Sequence, residues 1–212
     1  MIYAARKENA IHDSPGMEWI KSLEKGDFTY KDYKKWPEDF RLELIDGMVY
    51  LMASGDDWHQ WLTPELARQI GNQLAGKKCL LYTEFDVRLF YEEDESDKTI
   101  VQPDILVVCD QAKLAGGHGV KGAPDFIIEI LSEFNAGFDL IDKKKIYEKA
   151  GVREYWILAR DKLYVNILYN GVYRETVILL DESFKINDYK QGVETINCIL
   201  DFTDIIKRYN LV

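Results

Sequence analysis

The chain has 212 residues, 47% of them apolar and 13% aromatic, and a formal net charge of −10. That length suits one sizeable core, the composition excludes a disordered chain, and no apolar run nears the ~20 residues of a bilayer-spanning helix. So acidic a surface argues against unaided attraction to phosphates, so a nucleic-acid partner requires a locally basic face.

Residues 1–28 read as a polar N-terminal extension with a short helix around Met17–Leu23. The opening residues lack the apolar stretch and cleavage site of a secretory signal. Cys79, Cys109 and Cys198 are odd in number and form no CxxC spacing. Reduced thiols, a cytoplasmic location and no zinc site are the expectations.

Residues 29–212 read as one domain. Arg41–Ile45 and Met48–Met52 flank Asp46-Gly47, which suits the positive φ of a hairpin turn. A helix follows with Leu62, Leu66, Ile70 and Leu74 at four-residue spacing. Thr63 is its expected cap and Pro64 its first turn, leaving His59 just ahead. Strands are expected at Leu80–Tyr91, Ile105–Cys109 and Phe126–Leu131, then a helix over Asp139–Ala150 stopped by Gly151. Strands at Glu154–Ala159, Leu163–Tyr169 and Val172–Leu180 come next, the last two joined at Asn170-Gly171. Another strand and a short helix (Asp204–Tyr209) close the chain. The fold class is α/β (α+β): a mixed β-sheet flanked by helices, with a parallel strand–helix–strand unit over residues 126–159.

Three charges stand where apolar residues belong. Asp104 opens the run Ile105-Leu106-Val107-Val108, and Glu129 interrupts Phe126-Ile127-Ile128-Glu129-Ile130-Leu131. Such runs read as strands buried on both faces, where an ionised carboxylate costs several kcal/mol unless paired or metal-bound. On the following helix, Leu140, Ile146, Tyr147 and Ala150 mark an apolar stripe with Lys143 near its middle; Lys144 lies at the margin and Lys145 points away. Either Glu129 and Lys143 form a structural ion pair, or two carboxylates beside one lysine serve a divalent cation and an attacking water. The first alternative leaves Asp104 unexplained. Asp125 lies four residues from Glu129 on one strand, about 13 Å away, too far to share a metal, and reads as a strand-entry turn.

Pro103-Asp104 followed by Glu129-Ile130-Leu131 resembles the PD-(D/E)xK nuclease signature. More narrowly, the chain resembles the Uma-type family of restriction-endonuclease-domain proteins. The likeness rests on Arg41-Leu42-Glu43-Leu44-Ile45-Asp46-Gly47, His59, Pro103-Asp104, Pro124–Ser132, the Asp139/Lys143/Tyr147 ladder and Gly151–Trp156, and spans roughly residues 29–180. It implies a restriction-endonuclease-like fold and a Mg²⁺-dependent phosphodiesterase, with Mn²⁺ as a substitute. Asp104 and Glu129 would hold the metal together with the backbone carbonyl of Ile130. The familiar signature has a lysine where this chain has Leu131; in the resembling family the next helix supplies it, at the place of Lys143.

Glu43 is either a solvated strand position or, by the resemblance, a support for the metal through a water. His59 either packs and caps a helix or contacts phosphate as an outer ligand. Tyr147 reads as core or, as the lesser alternative, as a partner of a site carboxylate, Tyr155-Trp156 as a core strand, and Glu84 and Asp86 as reserve ligands on one strand face. Gly116-Gly117-His118-Gly119 fits no phosphate loop, and Ser132 has no hydrolase motif around it. The resulting expectation is a metal-dependent DNA endonuclease leaving a 5′-phosphate, with Asp104, Glu129, Lys143, Glu43 and His59 as site residues, acting as a homodimer and not at a membrane. The rivals are a catalytically silent nuclease fold that binds nucleic acid or protein, and a phosphodiesterase acting on small nucleotides.

Overall fold

The computed structural model describes Leu23 and residues 26–37, 39–52, 55–114, 116–131, 139–180 and 196–202, with backbone alone at 139 and 140. The Met17–Leu23 helix, apart from Leu23, and the Asp204–Tyr209 helix fall outside these residues.

A short helix α1 (Tyr30–Tyr33) precedes β1 (Leu42–Ile45) and β2 (Met48–Leu51). Asp46 and Gly47 turn the hairpin with φ of 48° and 79°, as the dipeptide predicts. Helix α2 (Asp57–Leu74) starts earlier than expected, because Asp56 rather than Thr63 caps it by accepting from His59 N at 2.9 Å. Pro64 therefore sits inside the helix, and the Thr63 hydroxyl donates to His59 O at 2.9 Å. The shift moves His59 into the first helical turn, and the site depends on it. Leu62, Leu66 and Ile70 are fully buried, as the four-residue spacing predicts.

The strand expected over Leu80–Tyr91 is two: β3 (Leu80–Tyr82) and β4 (Val87–Arg88), which join different sheets. Glu84 lies between them with φ of 49°, a left-handed kink that no continuous strand contains. Then come β5 (Ile100–Val101), β6 (Ile105–Val108), a 3₁₀ turn (Gln111–Leu114), β7 (Val120–Lys121) and β8 (Phe126–Ile130). The segment Asp139–Lys143 is a π-helical turn leading into α3 (Lys144–Ala150), which Gly151 closes in a left-handed conformation. Last are β9 (Glu154–Leu158), β10 (Lys162–Tyr169) and β11 (Val172–Leu179).

The strands form two sheets, ordered β2-β1-β5-β4-β7 and β11-β10-β9-β8-β6-β3. In the larger, β8 and β9 are parallel around α3, while β6 and β8 are antiparallel with Ile105 opposite Ile128. One face of this sheet (Ile105, Val107, Ile128, Trp156) packs on α2; the other (Leu106, Ile127, Tyr155, Ile157) forms a second core with Tyr147 of α3 and Val87 and Val101 of the smaller sheet. The architecture is a mixed α/β fold flanked by helices, as the element order predicts. Among the described residues no helix is long and apolar enough to cross a membrane.

The cysteine reading needs correction. Cys79 and Cys109 form a disulfide, while Cys198 is free and buried. The antiparallel register of Leu80 with Val108 brings the next residues out, 79 and 109, face to face. Thirty positions of separation hid that pairing. The thiol state thus lends no support to a cytoplasmic location.

Candidate functional site

The register of β6 against β8 decides where the two buried carboxylates go. Ile105 pairs with Ile128, so one step outward Asp104 stands opposite Glu129, both on the face shared with Leu106 and Ile127. Asp104 N donates to Glu129 Oε2 at 3.3 Å. Ile130 N in turn donates to Asp104 Oδ2 at 2.7 Å. What the structure shows of Ile130 is therefore its N–H; the carbonyl contact stays an expectation.

Lys143 approaches from the π-helical turn and is buried. Its Nζ lies 3.0 Å from Glu129 Oε1 and 2.9 Å from Glu43 Oε1. A π turn widens the helix locally, a deviation often found at functional sites, and here it ends on the lysine that reaches the acids. Lys144 pairs with Glu175 at 2.7 Å, and Lys145 is exposed, as the helical wheel predicts. Glu43 is buried rather than solvated, and it also accepts from Gln102 N at 2.9 Å.

His59 reaches the same cluster from the start of α2, its Nε2 2.8 Å from Asp104 Oδ1. The hydrogen bond to Asp104 raises the imidazole above its ordinary value of 6.5, against the opposing pull of burial. His59 Nδ1 is buried without a hydrogen-bond partner among the described residues. It lies against Gly55, where a Cβ would approach it to 2.5 Å, so only glycine leaves the ring in place. Tyr147 of α3 donates to Glu129 Oε1 at 2.8 Å, and burial followed by Glu129 holds its hydroxyl well above 10. Both sequence readings of Tyr147 hold, since its ring is core and its hydroxyl bonds a site carboxylate. Three carboxyl groups thus face one lysine amine and one imidazole.

The Uma2 family, described as "Putative restriction endonuclease", matches residues 30–195 of this chain. The chain belongs to that family. Its fold resembles the "crystal structure of a putative nuclease belonging to DUF820" from Anabaena variabilis ATCC 29413, at 18% identity and a TM-score of 0.64, over 87% of this chain and 99% of that one. At that identity the likeness speaks for the fold alone. Comparison with curated proteins gave no match.

In this Uma2 chain, then, all five sequence-predicted site residues, Asp104, Glu129, Lys143, Glu43 and His59, meet in one hydrogen-bonded cluster. Among the described residues no group of three or more His, Cys, Asp or Glu side chains is arranged to hold a metal ion. The donor set still fits Mg²⁺ in kind, since that ion takes one or two carboxylates and keeps several waters. All four oxygens of Asp104 and Glu129 already accept from protein donors, so an entering ion would exchange with those donors. The reserve ligands do not join. Glu84 pairs with Arg41 at 2.9 Å, and Asp86 bonds to Tyr33 and Gln102. Asp125 is structural: it accepts from Cys109 N at 2.7 Å and pairs with Arg153. Gln102 was missed at the sequence level. It stands two residues before Asp104 in Val-Gln-Pro-Asp, on the same side of an extended segment.

Proposed function

We propose that this protein is a Mg²⁺-dependent nuclease, with DNA as substrate and hydrolysis of a phosphodiester as the reaction. One observation carries the reading: Asp104 and Glu129 meet across adjacent strands, with the Lys143 ammonium buried 3.0 Å from Glu129. Ionising three buried carboxyl groups beside one lysine and one histidine is costly, and a divalent cation would offset that cost.

Asp104 and Glu129 would hold the ion, which supplies Lewis-acid stabilisation of the phosphoryl oxygens and a more acidic water. Lys143 fixes Glu129 and Glu43 at hydrogen-bond distance and places positive charge where phosphoryl charge develops. Tyr147 restrains the same Glu129 oxygen. His59 orients Asp104 by donating from Nε2 to its carboxylate. Glu43 acts through Lys143 and Gln102 and is a positioning residue. Action as a homodimer in the cytoplasm, leaving a 5′-phosphate, belongs to the same proposal.

Plasmid nicking with a Mg²⁺ titration tests it. Asp104→Asn and Glu129→Gln are expected to lower cleavage by about a hundredfold or more, in line with loss of transition-state charge stabilisation, with the fold retained by circular dichroism. Undiminished nicking by either variant would remove the carboxylates from the mechanism.

A further inference from the structure

Beside the acidic cluster lies a cavity of about 370 Å³, within the size range of small-ligand sites. It forms between α1 and the β4–β5 region, and Tyr33, Trp36, Phe40, Phe85, Asp86 and Gln102 supply its chemistry. Flat aromatic faces with a few hydrogen-bonding groups suit a planar heterocycle better than a flexible chain.

The polar groups are specific. Gln102 Nε2 donates to Asp86 Oδ1 at 2.8 Å, and the Tyr33 hydroxyl donates to the same oxygen at 3.0 Å. A carboxylate only accepts, so the amide nitrogen faces Asp86 and Gln102 Oε1 is left over. Among the described residues neither that oxygen nor Asp86 Oδ2 has a hydrogen-bond partner. Both residues line the cavity, and among the described residues each keeps one acceptor oxygen without a partner. Burial raises Asp86 above its ordinary value, against the bonds from Gln102 and Tyr33. The glycine-rich stretch finds its place here as well. Gly117, His118 and Gly119 line the cavity, and a Cβ on Gly119 would come within 2.7 Å of Asp86 O.

Gln102 joins this cavity to the acidic cluster, because its backbone N–H bonds to Glu43 while its side chain lines the cavity. About 7 Å of extended chain separates it from Asp104. We propose that the cavity is a recognition pocket for one unstacked guanine base, held beside the phosphate that the cluster would cleave. Guanine is the base whose pairing edge presents two adjacent N–H donors, the complement of Asp86 Oδ2 and Gln102 Oε1. Base capture also supplies affinity that does not depend on phosphate contacts, which a net charge of −10 disfavours. The inference rests on the nuclease reading for its substrate, though not for its chemistry.

The test is calorimetric titration of the full chain in EDTA with guanosine, adenosine, cytidine and uridine monophosphates. Guanosine monophosphate is expected to bind best, and Asp86→Asn to weaken it about tenfold or more, since an acceptor becomes a mismatched donor. Phe40→Leu, which removes a ring and no charge, should weaken all four nucleotides together. Should Asp86→Asn fail to fold, Phe40→Leu carries the test, and unchanged affinity in it overturns the pocket. No binding of any nucleotide by the wild type, or equal guanosine affinity in Asp86→Asn, overturns it too. Displacement of the nucleotide by a duplex with one unpaired guanine, but not by a fully paired duplex, assigns the base to a strand; displacement by neither assigns it to a free nucleotide. Plasmid nicking by the same preparations separates the two readings. Nicking without nucleotide binding leaves the nuclease and removes the pocket, and nucleotide binding without nicking does the reverse.

Discussion

Replacing Lys143 by methionine keeps an unbranched side chain, one atom shorter, and deletes its charge. In the wild type Lys143 is 5% exposed, and its ammonium lies 2.9 Å from Glu43 and 3.0 Å from Glu129. At an effective dielectric of ~20, each contact is worth roughly 5 kcal/mol of Coulomb attraction before desolvation is counted. Desolvation cancels much of that, and breaking a buried pair by removing one partner typically costs about 3–5 kcal/mol. For a domain of this size the loss corresponds to a melting temperature lower by roughly 6–20 °C. The cause is two carboxylates left facing each other, so a second cation should repair it. Lys143→Met is expected to gain about 2.7 kcal/mol from Mg²⁺ when the ion reaches a hundred times its dissociation constant, and the wild type less at the same concentration. Cleavage should stay suppressed, because the positive charge beside the phosphoryl group is gone. Urea denaturation with and without Mg²⁺, beside a nicking assay, measures both effects. A variant within about 1 kcal/mol of the wild type in EDTA would refute the buried-pair reasoning, and full nicking would remove lysine from the chemistry.

Two pH dependences follow from buried groups. Burial raises Glu154 from 4.5 to about 7, with a bond from Trp156 opposing, so the folded state holds this proton more tightly than the unfolded chain. Its contribution is present below pH ~4.5 and lost as pH rises through about 7. Glu154→Gln should match the wild type near pH 4 in urea denaturation and exceed it near pH 8 by up to about 3 kcal/mol; equal stability at both pH values would contradict a buried neutral carboxyl. His59, raised by its bond to Asp104, stabilises the fold below 6.5 and loses that contribution as pH climbs through its folded value. His59→Gln should flatten the fall of stability above pH 6.5, and an imidazole resonance titrating at or below the ordinary value would refute the contact.

The large-scale plan was legible because periodicity reports burial. The runs around 105–108 and 126–130 are buried on both faces, and Leu62, Leu66 and Ile70 mark the packed side of α2. The site was legible for the opposite reason: Asp104, Glu129 and Lys143 break those patterns. Long-range pairing was not. Nothing local places Cys79 opposite Cys109, or Glu43 against Lys143. Helix signals also misled at Thr63-Pro64, where a proline reads as a start although Asp56 supplies the cap seven residues earlier. Tyr147 shows why one residue carries two readings, since its ring packs in the core while its hydroxyl serves Glu129.

The cross-link between Cys79 and Cys109 makes a covalent ring of the stretch between them, which includes β3, Gln102 and Asp104. β3 is only three residues long and lies at the rim of its sheet, the kind of segment that frays first. With its root tethered to the end of β6, fraying there cannot drift far enough to unseat the acid at the opposite end of that strand. A protease nick anywhere within the ring would leave both pieces travelling as one molecule until a thiol reagent parted them.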